Sequence, residues 1–396
     1  MSLIASAILI HSARQLLTLR GPGGPRRGAA MLDLGIVPDG ALLLKDGLIE
    51  EVGPTRRLEN LVKARGATRI DTTGKVVMPG FVDAHTHLMF PPPHLGDAGP
   101  GAEIDIDRAA RTLNTVTAQR LAGRGRAWLR TMARHGTTTL EAKTGCGSTE
   151  SAEMKVLRVL SVLNKEALDI VPTYLFRATT AEHAERVCAD FLFTIRRRRL
   201  SRFADLQWDS DMSRRALIVR YLNAAVGLGF AVKVHADQSS CSGAVSLAVE
   251  YRAASIDHLE YVTLEQARIL GAAGALTTLL PCASFRSGRY APARLLIENG
   301  VAVALGTNFN PFHTPSLNMQ TAVSLACLQL EMTPAEAMTA ATINSAHALK
   351  SAARAGSLEI GKLADVLILN TGDYRDVGYQ LGTNLVDRVF KRGEEL

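Results

Sequence analysis

Eight short strand candidates separated by helical stretches constrain this chain more than any other feature in it. They fall at 76–83, 137–143, 169–176, 203–208, 230–236, 254–259, 275–280 and 301–306. Short apolar runs bounded by turn residues suit strands buried on both faces, as in a parallel sheet. The runs between them read as helices, among them 108–134, 150–164, 212–227, 243–252 and 263–272. Strand and helix in regular alternation predict an α/β fold, a (β/α)8 TIM barrel over residues 76–355. The two ends read differently. Residues 1–75 carry short strands broken by Asp-Gly and Gly-Pro turns, with a hairpin over Ala41–Val52, and 356–396 return to turn and strand. Together, 1–75 and 356–396 predict a small β-sandwich domain made from both ends.

In such a barrel the chemistry sits at the carboxyl ends of the strands. The polar residues expected there are His85, His87, Glu141, Lys143, Arg177, Asp209, His235, Asp237, Gln238, His258, Asn308 and Asn310. His85 and His87 follow the apolar run from Val76. In extended chain, side chains at i and i+2 leave one face about 7 Å apart, so two imidazoles can converge on one cation. A third ligand must then come from a neighbouring strand, and His235 is placed to supply it. His258, at the next strand end, would be the imidazole that takes a proton from water or polarises a carbonyl.

Composition removes several function classes. Aromatics make up 5% of the chain, although its net charge is +7 and Arg196 to Arg199 run together. A nucleic-acid surface would interleave such arginines with exposed rings, so a solvated helix face is the better reading. No stretch of about 18 uncharged apolar residues suggests a membrane span. The apolar start at Met1 lacks a basic leader and reads as a first strand. The five cysteines form no CxxC pair, which fits a reducing, cytoplasmic setting.

Four stretches together resemble the imidazolonepropionase branch of the amidohydrolase superfamily. They are Pro79–Phe90, Glu141–Gly147, His235–Gln238 with Asp257–Tyr261, and Thr307–Pro311. Met332–Met338 and Gly356–Leu369 resemble that superfamily's later helix and closing strands. The resemblance implies one zinc or iron ion per chain, held by His85, His87, His235 and the residue at 308. It also implies Gln238 beside a small-molecule substrate and His258 as catalytic imidazole, in a homodimer. Lys143 corresponds to a lysine that is carbamylated in binuclear relatives, but the pattern here resembles the mononuclear branch.

The departures are equally specific. Where the superfamily has an aspartate that ligates metal and accepts a proton, this chain has Asn308, a neutral amide that cannot take one. The arginine that grips a carboxylate is replaced by the run Phe90-Pro91-Pro92-Pro93-His94, and a tyrosine by Cys146. Arg177 replaces a histidine, and Phe312 and His313 follow Asn310-Pro311 in place of small residues. The expected substrate contacts are therefore His94, Glu141, Cys146, Arg177, Gln238, Asn310, Phe312 and His313, with His258 and Asn308 catalytic. Asp237 reads either as a partner that orients His235 or as a helix N-cap, and Asp209 as a pocket residue or an N-cap.

These features imply hydrolysis of a C–N bond in a small cyclic amide, a metal-activated water attacking the ring carbonyl. The exchange at 308 supports an alternative, a biosynthetic enzyme on the same scaffold that closes a ring, dehydrates or isomerises, with metal weakly held or absent. A binding protein without catalysis is disfavoured because all four histidines remain.

Overall fold

The computed structural model describes residues 7–91, 106–145, 149–177, 180–208 and 214–396. His94, Cys146 and Asp209 lie outside those residues. The eight apolar segments form one parallel sheet. Its strands are β1 (Phe81–Asp83), β2 (Thr137–Lys143), β3 (Asp169–Arg177), β4 (Phe203–Gln207), β5 (Ala231–Ala236), β6 (Ser255–His258), β7 (Leu276–Leu279) and β8 (Ala302–Leu305). Each strand pairs with the next in sequence order. The ends then meet: Ala84 N donates to Leu305 O at 3.3 Å, Asn308 N donates to His85 O at 2.9 Å, and Thr86 bridges Phe309. Asp83 reinforces the seam, accepting from Thr307 N at 2.9 Å and Thr307 Oγ1 at 2.6 Å. Gly306 permits this closure, because a Cβ there would lie 2.9 Å from the His85 backbone nitrogen.

The expected strand over 76–83 is in fact two strands. Val76–Pro79 pairs with Ile8–Leu17 and Val366–Leu369 in a separate sheet, and only Phe81–Asp83 enters the barrel. The break has a local cause. Pro79 has no N–H to continue a ladder, and a side chain at Gly80 would collide with Thr138 at 2.2 Å. The helical stretch 108–134 is likewise divided, into Ile106–Thr115 and Ala118–Arg134, because the Thr117 hydroxyl caps the second helix through Arg120 N.

The separate sheet draws eight strands from both ends of the chain: Ile8–Leu17, Ile36–Lys45, Leu48–Pro54, Thr68–Asp71, Val76–Pro79, Val366–Leu369, Val386–Lys391 and Glu394–Glu395. Asp46 and Gly47 turn the hairpin with φ of 51° and 79°, the positive pair that a type I′ turn needs. Ile10, Leu16, Leu42, Leu44, Ile49, Val366, Ile368 and Phe390, from across this sheet, share one apolar cluster, so the sheet closes over its own face. Each such side chain contributes about 1.5–3 kcal/mol by leaving water.

The barrel interior departs from the branched apolar layers usual for this fold. Glu141, Lys143, Asp205, Lys233 and Asp257 are fully buried inside it. They sit below the strand tips, where the histidines are.

Candidate active site

Register assembles the site. Past Asp83 the chain stays extended, bridged through Thr86 to Phe309, so that His85 and His87 emerge from one face. Parallel pairing sets His235 of β5 opposite Asp257 of β6 and Gln207 of β4. The outcome is a convergence of three imidazoles. One nitrogen from each of His85, His87 and His235 lies within 4.8 Å of the others. His85 Nε2 and His87 Nε2 are 3.3 Å apart. The His85 and His235 rings are 4.8 Å apart by centroid, and His258 stands 5.2 Å from His235.

Carboxylates orient these rings from beneath. His85 Nδ1 faces Asp257 Oδ2 at 2.7 Å, and His235 Nδ1 faces Asp205 Oδ1 at 3.3 Å. A proton held on Nδ1 by such a bond leaves the Nε2 lone pair for a cation. Burial, with help from the Lys143 charge, pulls His85 well below the usual imidazole range despite Asp257. Burial also lowers His235 against the pull of Asp205. Both rings are thus neutral, as ligands must be.

Two lysines neutralise the acids. Lys143 Nζ contacts Glu141 at 3.0 Å, Asp257 at 3.1 Å and Asp205. Lys233 Nζ lies 2.7 Å from Glu141 and donates to Ala84 O at 3.3 Å. Burial would push the Asp257 carboxyl up, but Lys233 and Lys143 outweigh it and hold the group well below the carboxylate range. The same acids outweigh burial at Lys143 and raise its pKa, so its amine stays protonated. Carbamylation requires a neutral amine, so this lysine is a structural counter-charge. The cluster of His85, Glu141 and Asp257 also has cation-binding spacing. The two ammonium groups already occupy it.

The residues fit a divalent cation at the three histidines. His235 Nε2 and Asn308 Oδ1 are buried with no hydrogen-bond partner among the described residues, and such atoms are rare unless a ligand takes them. Asn308 adopts φ +52°, a conformation that asparagine tolerates, while its N–H is held by His85 O.

The other expected contacts divide into three groups. Arg177 ends β3 at the rim, half-buried, and Gln238 is exposed just beyond β5. Phe312 and His313 lie half-buried on the loop after β8, where burial and Arg286 push the His313 imidazole down to about 4. Glu141 is instead committed to the lysine network and to Thr173 Oγ1 at 2.5 Å. Asn310 spends its amide oxygen on the Phe312 and His313 backbone, at 2.9 and 3.3 Å, shaping the loop that carries them. Asp237 is neither of the things expected. Its carboxylate braces the loop through Ser242 and Gln266, each at 2.8 Å, and the next helix begins at Ala244. Arg196, Arg199 and Arg202 line a cavity of about 550 Å³ beside the amino-terminal ends of β3 and β4. They stand apart from the histidines.

Sequence reasoning passed over Asp205, Lys233, Asp257 and Glu260. A signal was present for two of them: Asp205 in Phe-Ala-Asp-Leu and Lys233 in Val-Lys-Val-His are charges inside apolar strand runs. A buried charge demands a buried partner.

An amidohydrolase family model matches residues 229–396. The imidazolonepropionase of Symbiobacterium thermophilum is 38% identical over 414 residues, spanning 98% of this chain and 96% of its own. E. coli guanine deaminase has a similar structure, with TM-score 0.75, 16% identity and 99% of each chain covered. An adenosine deaminase from Xanthomonas campestris with bound zinc gives TM-score 0.72 at 17% identity, covering 98% of this chain and 92% of its own. At such identities those two share the fold.

Proposed function

Because this chain belongs to the imidazolonepropionase branch of the amidohydrolase family, we propose that it hydrolyses a ring C–N bond in a small imidazolone-like cyclic amide. The observation that carries this reading is the convergence of His85, His87 and His235 within 4.8 Å. We assign the ion as one zinc or iron per chain, held by those three with Asn308. Imidazole nitrogens suit either metal, and the lysines leave no room for a second ion. Held there, such a cation would polarise the ring carbonyl and bring the pKa of the attacking water down towards neutrality.

The chain's own residues do the rest. The carboxylates under His85 and His235 hold both rings in one tautomer. His258, 5.6 Å from His85 by ring centroid, is the group able to accept a proton from the attacking water and return it to the leaving nitrogen. Asn308 cannot share this task. Arg177, Gln238, Phe312 and His313 form the substrate walls in this reading. No described helix is long and apolar enough to cross a membrane. The described cysteines are unpaired, supporting a cytoplasmic setting. The expected homodimer is checked by sedimentation.

Metal analysis alongside turnover of imidazolonepropionate and hydantoin tests the proposal. About one equivalent of zinc or iron and a ring-opened carboxylate or carbamoyl product are expected. Turnover that survives complete removal of metal overturns it. Asn308 favours one alternative, ring closure, dehydration or isomerisation on the same scaffold. That reading predicts no incorporation of oxygen from labelled water.

A further inference from the structure

Three histidines of the site each face a carboxylate, and the three pairs are not equivalent. Asp257 under His85 and Asp205 under His235 are both claimed by Lys143. Glu260 is different. Its Oε1 lies 3.3 Å from His258 Nδ1 and accepts from Ser284 Oγ at 3.3 Å. Its Oε2 is buried with no partner among the described residues. The nearby cation, Arg289, stacks on the Tyr261 ring at 3.8 Å and gives its Nε to the Glu260 main-chain oxygen. His258 is thus the one basic side chain within ion-pair reach of this carboxylate among the described residues.

The backbone is bent to make the contact. His258 and Leu259 take φ of +83° and +69°, left-handed values that side chains other than glycine seldom adopt, still less in succession. The bend is held by Leu259 N on Ala236 O and Tyr261 N on Asp237 O, each at 3.0 Å. It folds Glu260 back over the ring two residues before it. Strain kept in this way marks a functional constraint.

We propose that Glu260 is the positioning residue that equips His258 to carry alone the proton transfer for which position 308 has no carboxylate. This rests on the hydrolase reading above. Glu260 holds the His258 proton on Nδ1, so the Nε2 lone pair faces the reaction. Water forms its O–C bond to the ring carbonyl carbon while its proton passes to His258 Nε2. Glu260 stabilises the imidazolium that results. The ring C–N bond then breaks, its electron pair stays on nitrogen, and His258 Nε2 returns the proton there. One water is consumed, and His258 ends as it began.

Imidazolonepropionate turnover by wild type, Glu260→Gln, Glu260→Asp and Glu260→Gln/Asn308→Asp tests this. The Gln variant keeps the shape and removes the charge. Its kcat should fall roughly 100-fold or more, with KM within about twofold and metal content unchanged. Glu260→Asp should recover part of that loss. The double variant should exceed Glu260→Gln, because a carboxylate returns at 308, whereas a merely structural Glu260 would not be rescued from there. In the wild-type protein, 15N shifts should place the His258 proton on Nδ1, which needs no variant to fold. A proton on Nε2, or undiminished kcat in Glu260→Gln beside an active wild type, removes the role of Glu260 and leaves the hydrolase reading standing. A wild-type protein that opens neither imidazolonepropionate nor hydantoin sinks both.

Discussion

Replacing Lys143 by methionine probes the charged layer on which the histidines rest. Methionine preserves most of the volume and removes one ammonium from contact with Glu141 at 3.0 Å, Asp257 at 3.1 Å and Asp205. Lys233 still reaches Glu141 at 2.7 Å and Asp257 at 3.7 Å, but Asp205 loses its one lysine partner among the described residues. Removing one partner of a buried ion pair costs about 3–5 kcal/mol, because uncompensated charge remains inside. A chain of 396 residues has an unfolding entropy near 0.8 kcal/mol/K, so the melting temperature should drop by roughly 4–6 °C. Calorimetry on chelator-treated wild type and variant measures this without interference from metal. A pH series separates charge from lost packing. Asp205 is held low in the native protein chiefly by Lys143 against the push of burial, so its stabilisation is present above the ordinary aspartate range and is lost as pH falls through the lower folded value. Without Lys143 burial gains the upper hand at Asp205, whose folded carboxyl should titrate higher and take up a proton. The stability deficit of Lys143→Met should therefore shrink as pH is lowered from 7 towards 4. A deficit below about 1 kcal/mol, or one that ignores pH, would refute the ion network as the support of this site.

Three further outcomes follow from the same geometry. Asp257→Asn weakens the bond that orients His85 at 2.7 Å, and metal affinity in a chelator competition should fall about 10–100-fold. Asn308→Asp puts a charged oxygen at a buried atom that has no partner among the described residues, and the same competition should show binding tighter by on the order of tenfold; weaker binding would argue that 308 lies outside the metal shell. Cys241 is exposed, whereas burial pushes the Cys282 thiol up to about 12. A disulfide reagent at pH 8 should therefore modify Cys241 promptly and spare Cys282 until the protein unfolds, as peptide mapping would report.

How much of this was legible in advance differs from element to element. The barrel strands could be read from the chain because short strand-prone runs alternate regularly with helical stretches, and the Asp46-Gly47 hairpin because two positive φ values need those residue types. The four histidines stood out for a similar reason: each follows such a run, where a barrel strand presents its tip. The split of Val76–Asp83 between two sheets was hidden, since both halves are apolar; Pro79 interrupts the ladder locally, but the close approach of Thr138 to Gly80 comes from the fold. The partners of the histidines were hidden more deeply. Asp205 is 30 residues from His235, and Asp257 is 172 from His85. No local pattern joins them, and it is strand register that sets them face to face. Residue types and their periodicity determined the barrel and put the histidines at its strand ends. Only the closed sheet decided which carboxylates the two lysines neutralise and which one, Glu260, they leave to a histidine, because Coulomb energies inside a protein depend on distances that the order of residues does not contain.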